Sequence, residues 1–425
     1  MPDSTIEAIS AMEILDCRLD PTLRVTVRTS AAVGRADVPV GRSTGANEVV
    51  ERRDGGDRYR GRGVREAVDS VNDVIAPELI GRRATAQEAI DRTLLALDGT
   101  DDLSNLGGNA MTGVSLAVAV AAAASLDQPL YRYLGGSDSH VLPVPFFDMI
   151  EGGELAANDL TFQEHQLVPT GADSFSEALR MSAEVYYELG DIVAEAWGKD
   201  ARNVGDEGGY TPPGMTDPRD AFDAELQAVE ELGLGDKYSV AIDAAASHFY
   251  DETTELYHLE GEELTASELA AYYEDLESAY PLVSIEDPFA EDDFDAFASL
   301  TRSMDAQIIG DDLFVTDPER VRRGVEAGAA DALLLKVNQV GTLSDAMQAA
   351  RIAFRNGYGV QVSERSGQTP DTWLADLAVG LNSGQIKTGV TRGERTEQYN
   401  RLLEIEAELG SGATYDGDLT GRWTV

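Results

Sequence analysis

The chain has 425 residues, 43% of them hydrophobic, and 77 acidic against 33 basic residues give it a net charge of −44. That length exceeds one small core and suits a barrel with a smaller partner domain, while the absence of a long uninterrupted apolar run excludes a membrane-spanning helix. A surface this acidic excludes DNA and RNA as partners and fits a salt-loaded cytoplasm, because at molar salt the Debye length falls to about 3 Å and self-repulsion is screened.

The first residues, MPDSTIEAIS, lack the basic and apolar regions of a secretory signal. A cytoplasmic protein is expected, and the single Cys17 allows neither an intrachain disulfide nor a thiolate metal cluster. Residues 4–40 read as short β segments, including TLRVTVRTS and the run from Val33 to Val38. A Gly-rich loop from Val40 to Gly45 has the composition of a mobile flap. Helical patterns cover 63–80 and 86–97, and the Ala- and Val-rich stretch 111–124 predicts a buried helix.

The turn cluster around Gly135 to Leu142 marks a domain boundary, which divides the chain into 1–137 and 138–425. Beyond it Ser174 with Glu177, Asp217 with Pro218, and Thr265 with Glu268 are helix-start signals. Between helices lie YSVAID, LVSIED, AQIIGDD, ALLLKV and GVQVSE, runs of strand length. Strands alternating with helices in this way predict a parallel α/β barrel.

Each run closes on polar groups, namely Asp243, Glu286, Asp311, Lys336 and then Glu364, Arg365 and Ser366. In a barrel these strand ends share one mouth, where catalytic groups sit. Lys336 stands out because only four lysines, Lys199, Lys237, Lys336 and Lys387, occur in the chain. Three carboxylates with no His or Cys beside them favour Mg²⁺ or Mn²⁺ over Zn²⁺. A lysine next to such a site acts as a general base if burial and positive neighbours, of which Lys387 is a candidate, lower its pKa. A cation that stabilises an anion beside a base that removes a proton is the chemistry of enolisation.

The strings LDGTDDLSNLGGNAMTGVSLAVA, VGDEGGYTPP, VSIEDPFAEDD, GDDLFVTDP, LLLKVNQVGTL and IKTG followed by ERTEQYNRLLEIE resemble the enolase family, the phosphopyruvate hydratases of glycolysis, along nearly the whole chain. The resemblance implies an enolase-type modified α/β (TIM) barrel with an N-terminal α+β capping domain, at least a dimeric assembly, and a small phosphorylated carboxylic acid as substrate. It further implies that Asp243, Glu286 and Asp311 hold Mg²⁺, that Lys336 takes the proton, and that Glu207, with Glu164 beside it, assists the departing hydroxyl. Lys387 would bind the carboxylate, Arg365 and Ser366 the phosphate, and Ser43 on the flap a second Mg²⁺.

Departures from the family pattern cluster around the substrate. Glu364 stands where the family has histidine, Leu155 replaces a second histidine, and Arg42 and Val40 alter the flap. Glu364 makes the pocket less welcoming to a dianionic phosphate unless Arg42 pairs with it, and exchanging Glu364 for histidine is then expected to raise turnover. The remaining histidines do not obviously replace the lost ones: His165, next to Glu164, is the only candidate, and an ordinary exposed histidine is the reading preferred for it. Two alternatives stay open beside the enolase activity: a diverged enzyme acting on another phosphorylated or phosphonate carboxylate, and a noncatalytic scaffold of the same fold.

Overall fold

Alternating burial organises the first forty residues. In the computed structural model, which describes residues 3–42, 44–417 and 419, strands β1 (Ile6–Leu15), β2 (Pro21–Thr29) and β3 (Val33–Asp37) form an antiparallel sheet in that order. Leu23, Val25 and Val27 of β2 are fully buried, each at the two-residue spacing that puts side chains on one face of a strand. That face packs on the helix Gly108–Ser125, which is apolar all round because it is covered all round. The helix is long and apolar enough to cross a membrane by composition, yet 89% of it is buried inside the fold. Close approach explains Gly34 of β3, where an added Cβ would lie 2.2 Å from the backbone nitrogen of Ala121.

The predicted helix over 63–80 appears as residues 65–79, with a π-helical stretch Ser70–Ile75 in its middle, and the one over 86–97 as Gln87–Asp98. Polar side chains start the later helices as their spacing predicts. Ser174 Oγ accepts from Glu177 N ahead of Phe175–Trp197, Asp217 accepts from Arg219 N ahead of Pro218–Glu231, and Thr265 and Glu268 form a reciprocal capping box ahead of Ala266–Ala279.

Eight strands close the barrel: β4 (Val144–Glu151), β5 (Glu164–Val168), β6 (Ser239–Asp243), β7 (Leu282–Glu286), β8 (Gln307–Gly310), β9 (Ala332–Leu335), β10 (Gly359–Ser363) and β11 (Gly384–Lys387). The five runs expected as strands are β6 to β10. The barrel is not wholly parallel, since β5 runs antiparallel to both β4 and β6. Reversal brings the first residue of β5 to the mouth where its neighbours end, so Glu164 lies opposite both Glu151 and Asp243.

Several buried carboxyls lie outside this mouth, Glu225 among them. Glu225 on the helix Pro218–Glu231 is fully buried, and among the described residues neither of its carboxylate oxygens has a hydrogen-bond partner. Burial pushes its pKa well above the ordinary 4.5. Because the folded chain then holds a proton that the unfolded chain releases, stability is highest below the unfolded value and falls as pH rises from there to the folded pKa. Glu225→Met is expected to raise unfolding free energy near neutral pH by about 1–3 kcal/mol. Denaturant titrations at about pH 5 and about pH 8 check this, the gain being larger at the higher pH; equal gains at both would oppose it.

Candidate active site

The carboxyl ends of β6, β7, β8, β9 and β11 bring acids and lysines together. Lys387, at the end of β11, places its ammonium 2.6 Å from Glu286 Oε2, 3.2 Å from Asp243 Oδ2 and 3.3 Å from Glu164 Oε2. Lys336, just past β9, lies 2.5 Å from Asp311 Oδ2. The expected metal trio therefore sits on neighbouring strand ends but is shared between two ammonium groups, Lys387 taking Asp243 and Glu286, and Lys336 taking Asp311. Gln163 and Ala245 N donate to Asp243, and Gln339 donates to Asp311 Oδ1 at 2.8 Å.

Electrostatics follow from that crowding. Burial pushes Glu164 up to about 8, with Lys387 acting against it and Glu207 adding to it. Burial and the neighbouring Asp243 also raise Glu286 well above the carboxylate range. The expected lowering of Lys336 is not found: burial opposes its charge most strongly, but the surrounding carboxylates, Asp311 in contact and Glu286 beyond it, together hold the pKa above that of an ordinary lysine. A hard cation fits this donor set. Lys387 already stands as a positive charge among three carboxylate oxygens, and Glu286 Oε1 is buried with no hydrogen-bond partner among the described residues. Two further acidic groups lie close by, Asp148 with Glu164 and Glu207, and Asp287 with Asp311 and Asp312.

Glu207 hangs from a loop fixed by another acid. The Glu151 carboxylate accepts from Glu207 N at 3.2 Å and from Gly209 N at 2.6 Å. Between them Gly208 has φ +96°, and a Cβ there would lie 2.4 Å from Thr391 Oγ1, so only glycine carries the turn. A narrow cavity is lined by Arg42, Leu155, Glu164, Glu207, Lys336, Glu364, Arg365, Ser366 and Lys387. Ser43 lies outside the described residues.

Comparison with known proteins agrees with this architecture. The family description "Enolase, N-terminal domain" matches residues 6–134, and "Enolase, C-terminal TIM barrel domain" matches 139–423. Proteins named enolase from Methanopyrus kandleri, Pyrococcus furiosus and Methanocaldococcus jannaschii are 55%, 54% and 54% identical to this chain over 416, 417 and 407 residues. These spans cover 96%, 97% and 95% of this chain and 97%, 97% and 96% of the relatives. The chain belongs to the enolase family.

Within that family frame, the site departures take on physical meaning. Glu364 does not pair with Arg42. Its Oε2 makes a short ion pair with Arg395 Nη1 and accepts from Thr388 Oγ1 at 3.0 Å, while Arg42 pairs with Asp206 at 2.7 Å. Arg395 also donates to the carbonyls of Arg365, Asp206 and Ser366 at 2.9, 3.2 and 2.8 Å. Burial raises Glu364 well above the ordinary carboxylate range with Arg395 pulling against it, and the ion pair gives the expected extra acid a partner. His165 does not replace a lost histidine: as the residue after Glu164 on β5 it faces away, fully buried between Phe162 and Phe222, and burial lowers its pKa to about 4.

Ser366 Oγ accepts from Arg18 Nη1 at 3.0 Å and from the flap amide of Arg42 at 2.9 Å. Arg365 is engaged end-on by Glu48. Glu48, Glu151 and Arg395 were not singled out from sequence. With 77 acids in the chain a lone glutamate carries no signal, and Arg395 sits on the helix Gly393–Leu409 where an arginine reads as surface.

Proposed function

We propose that this chain interconverts 2-phosphoglycerate and phosphoenolpyruvate in the cytoplasm, and that the division at 137/138 separates capping and catalytic domains. The observation that carries this reading is the narrow cavity of an enolase-family barrel where Lys336, Glu164, Glu207, Lys387, Arg365 and Ser366 meet. Arg365 and Ser366 take the phosphate, Lys387 the carboxylate, and Arg42 rims the pocket with Glu364. Lys336 removes the proton from C2, and the electron pair left there delocalises into the substrate carboxylate. The pair then returns to form the C2–C3 double bond as the C3–O bond breaks, and Glu207, with Glu164 beside it, gives the departing hydroxyl the proton that makes it water. Asp243, Glu286 and Asp311 would hold Mg²⁺, joined by Ser43 for a second ion, and the cation supplies positive charge to the carboxylate as negative charge grows there.

The reading as a diverged enzyme rested on Glu364 and Leu155; the Arg395 pair gives Glu364 a partner and weakens the first ground, while Leu155 still lines the cavity. Purified protein in molar KCl with Mg²⁺ is expected to form phosphoenolpyruvate, followed by its ultraviolet absorbance, at about 1–1000 turnovers per second. Chelation should abolish the rate and added Mg²⁺ restore it. A folded, Mg²⁺-binding protein without turnover would overturn the assignment, and one without Mg²⁺ binding would favour the noncatalytic scaffold.

A further inference from the structure

The residues that follow Lys336 have no assigned part in the chemistry above, yet they reach out of the barrel to the residues on either side of the flap. Asn338 Nδ2 donates to Pro39 O at 3.1 Å, and the carbonyl of Gln339 accepts from Val49 N at 3.0 Å. Glu48 sits between these two anchors. Its carboxylate meets the Arg365 fork with Nη1 2.9 Å from Oε2 and Nη2 3.0 Å from Oε1. Both side chains are nearly removed from water, at 3% and 8% exposure. Glu48 Oε1 also accepts from the flap amide Gly45 N at 3.1 Å and from Gln339 Nε2 at 3.4 Å. The same Gln339 amide reaches Asp311 at 2.8 Å, and Asn338 Oδ1 accepts from Arg365 Nη1 at 3.2 Å.

A two-point fork fixes the plane of a guanidinium as well as its position, which a single contact does not. We propose that Glu48 is a positioning residue for phosphate recognition: it orients Arg365 and ties it to the flap backbone at Gly45, so that flap position and phosphate grip are set together. This inference rests on Arg365 being a phosphate ligand. Charge and geometry make opposite demands on Glu48. As a bare negative charge near the phosphate it weakens binding, and its neutralisation should lower KM. As the group that aims Arg365 it strengthens binding, and its loss should raise KM.

The test is steady-state kinetics of the full chain in molar KCl with Mg²⁺ and 2-phosphoglycerate. Glu48→Gln is expected to raise KM about tenfold or more, with a smaller change in kcat. Glu48→Asp keeps the charge but moves the carboxylate back by one methylene, and it is expected to raise KM by less. Arg365→Lys is expected to raise KM by itself, and Glu48→Gln added to it should change little further, because the fork it aims is gone. If Arg365→Lys leaves KM unchanged, the phosphate assignment fails. If Arg365→Lys raises KM while folded Glu48→Gln leaves it unchanged or lower, the positioning role alone is overturned. Should Glu48→Gln fail to fold by circular dichroism, an unchanged KM in Glu48→Asp overturns it equally.

Discussion

Replacement of Lys336 by alanine is expected to lower kcat for phosphoenolpyruvate formation by about 10³-fold or more, toward the upper end of what a positioned base contributes. The lysine closes a fully buried strand, and its ammonium contacts only part of the Asp311 carboxylate. Removing it deletes the proposed proton acceptor and also takes the Lys336 ammonium away from Asp311, so alanine alone confounds two effects. Lys336→Arg separates them. Arginine keeps a positive charge beside Asp311 but holds its proton at any working pH, so it should retain the fold while losing turnover to a similar extent. Melting curves of both variants in molar KCl accompany the rates. Turnover within tenfold of the parent in a folded Lys336→Arg protein would remove Lys336 from the role of base.

Arg395→Leu is expected to destabilise the fold by about 3–5 kcal/mol, the cost of stranding one member of a buried ion pair. The arginine is fully buried, and its loss leaves the Glu364 carboxylate facing only Thr388 and strips donors from the carbonyls of Asp206, Arg365 and Ser366. Because two of those carbonyls belong to the residues assigned to phosphate, KM for 2-phosphoglycerate should rise as well. Pairing Arg395→Leu with Glu364→Gln should recover part of the stability, since the stranded charge is then gone, but not the substrate affinity. Equilibrium denaturation and KM, measured on the two variants, check both halves; a loss below about 1 kcal/mol would show that the pair is not what holds this edge of the barrel. The same geometry reverses the expectation for Glu364→His. A histidine there meets Arg395 in place of a carboxylate, so turnover and stability should fall, not rise.

Much of the barrel was legible because its signals are local. Strand runs closing on Asp243, Glu286, Asp311 and Lys336 reflect a rule of connectivity, since parallel strands joined by helices must present their carboxyl ends on one side. Helix starts at Ser174, Asp217 and Thr265 depend on residues within three positions of one another. Glu164 escaped that logic. It begins its strand instead of ending it, and it reaches the mouth only because β5 runs antiparallel to its neighbours; family resemblance, not spacing, pointed to it.

By itself the sequence determined the fold class, the acidic and lysine-poor composition, and the polar strand ends of the candidate site, because each depends on neighbours along the chain. Which charges neutralise which was decided only by the tertiary structure. Glu364 finds Arg395 rather than Arg42, Arg365 finds Glu48 across the two halves of the chain, and Lys387 rather than a second basic group lies among Asp243, Glu286 and Glu164. The physical reason is range. Backbone propensity acts over a few residues, whereas a buried charge is satisfied by whichever opposite charge the packing brings within about 4 Å, and among so many carboxylates no spacing rule selects the partner.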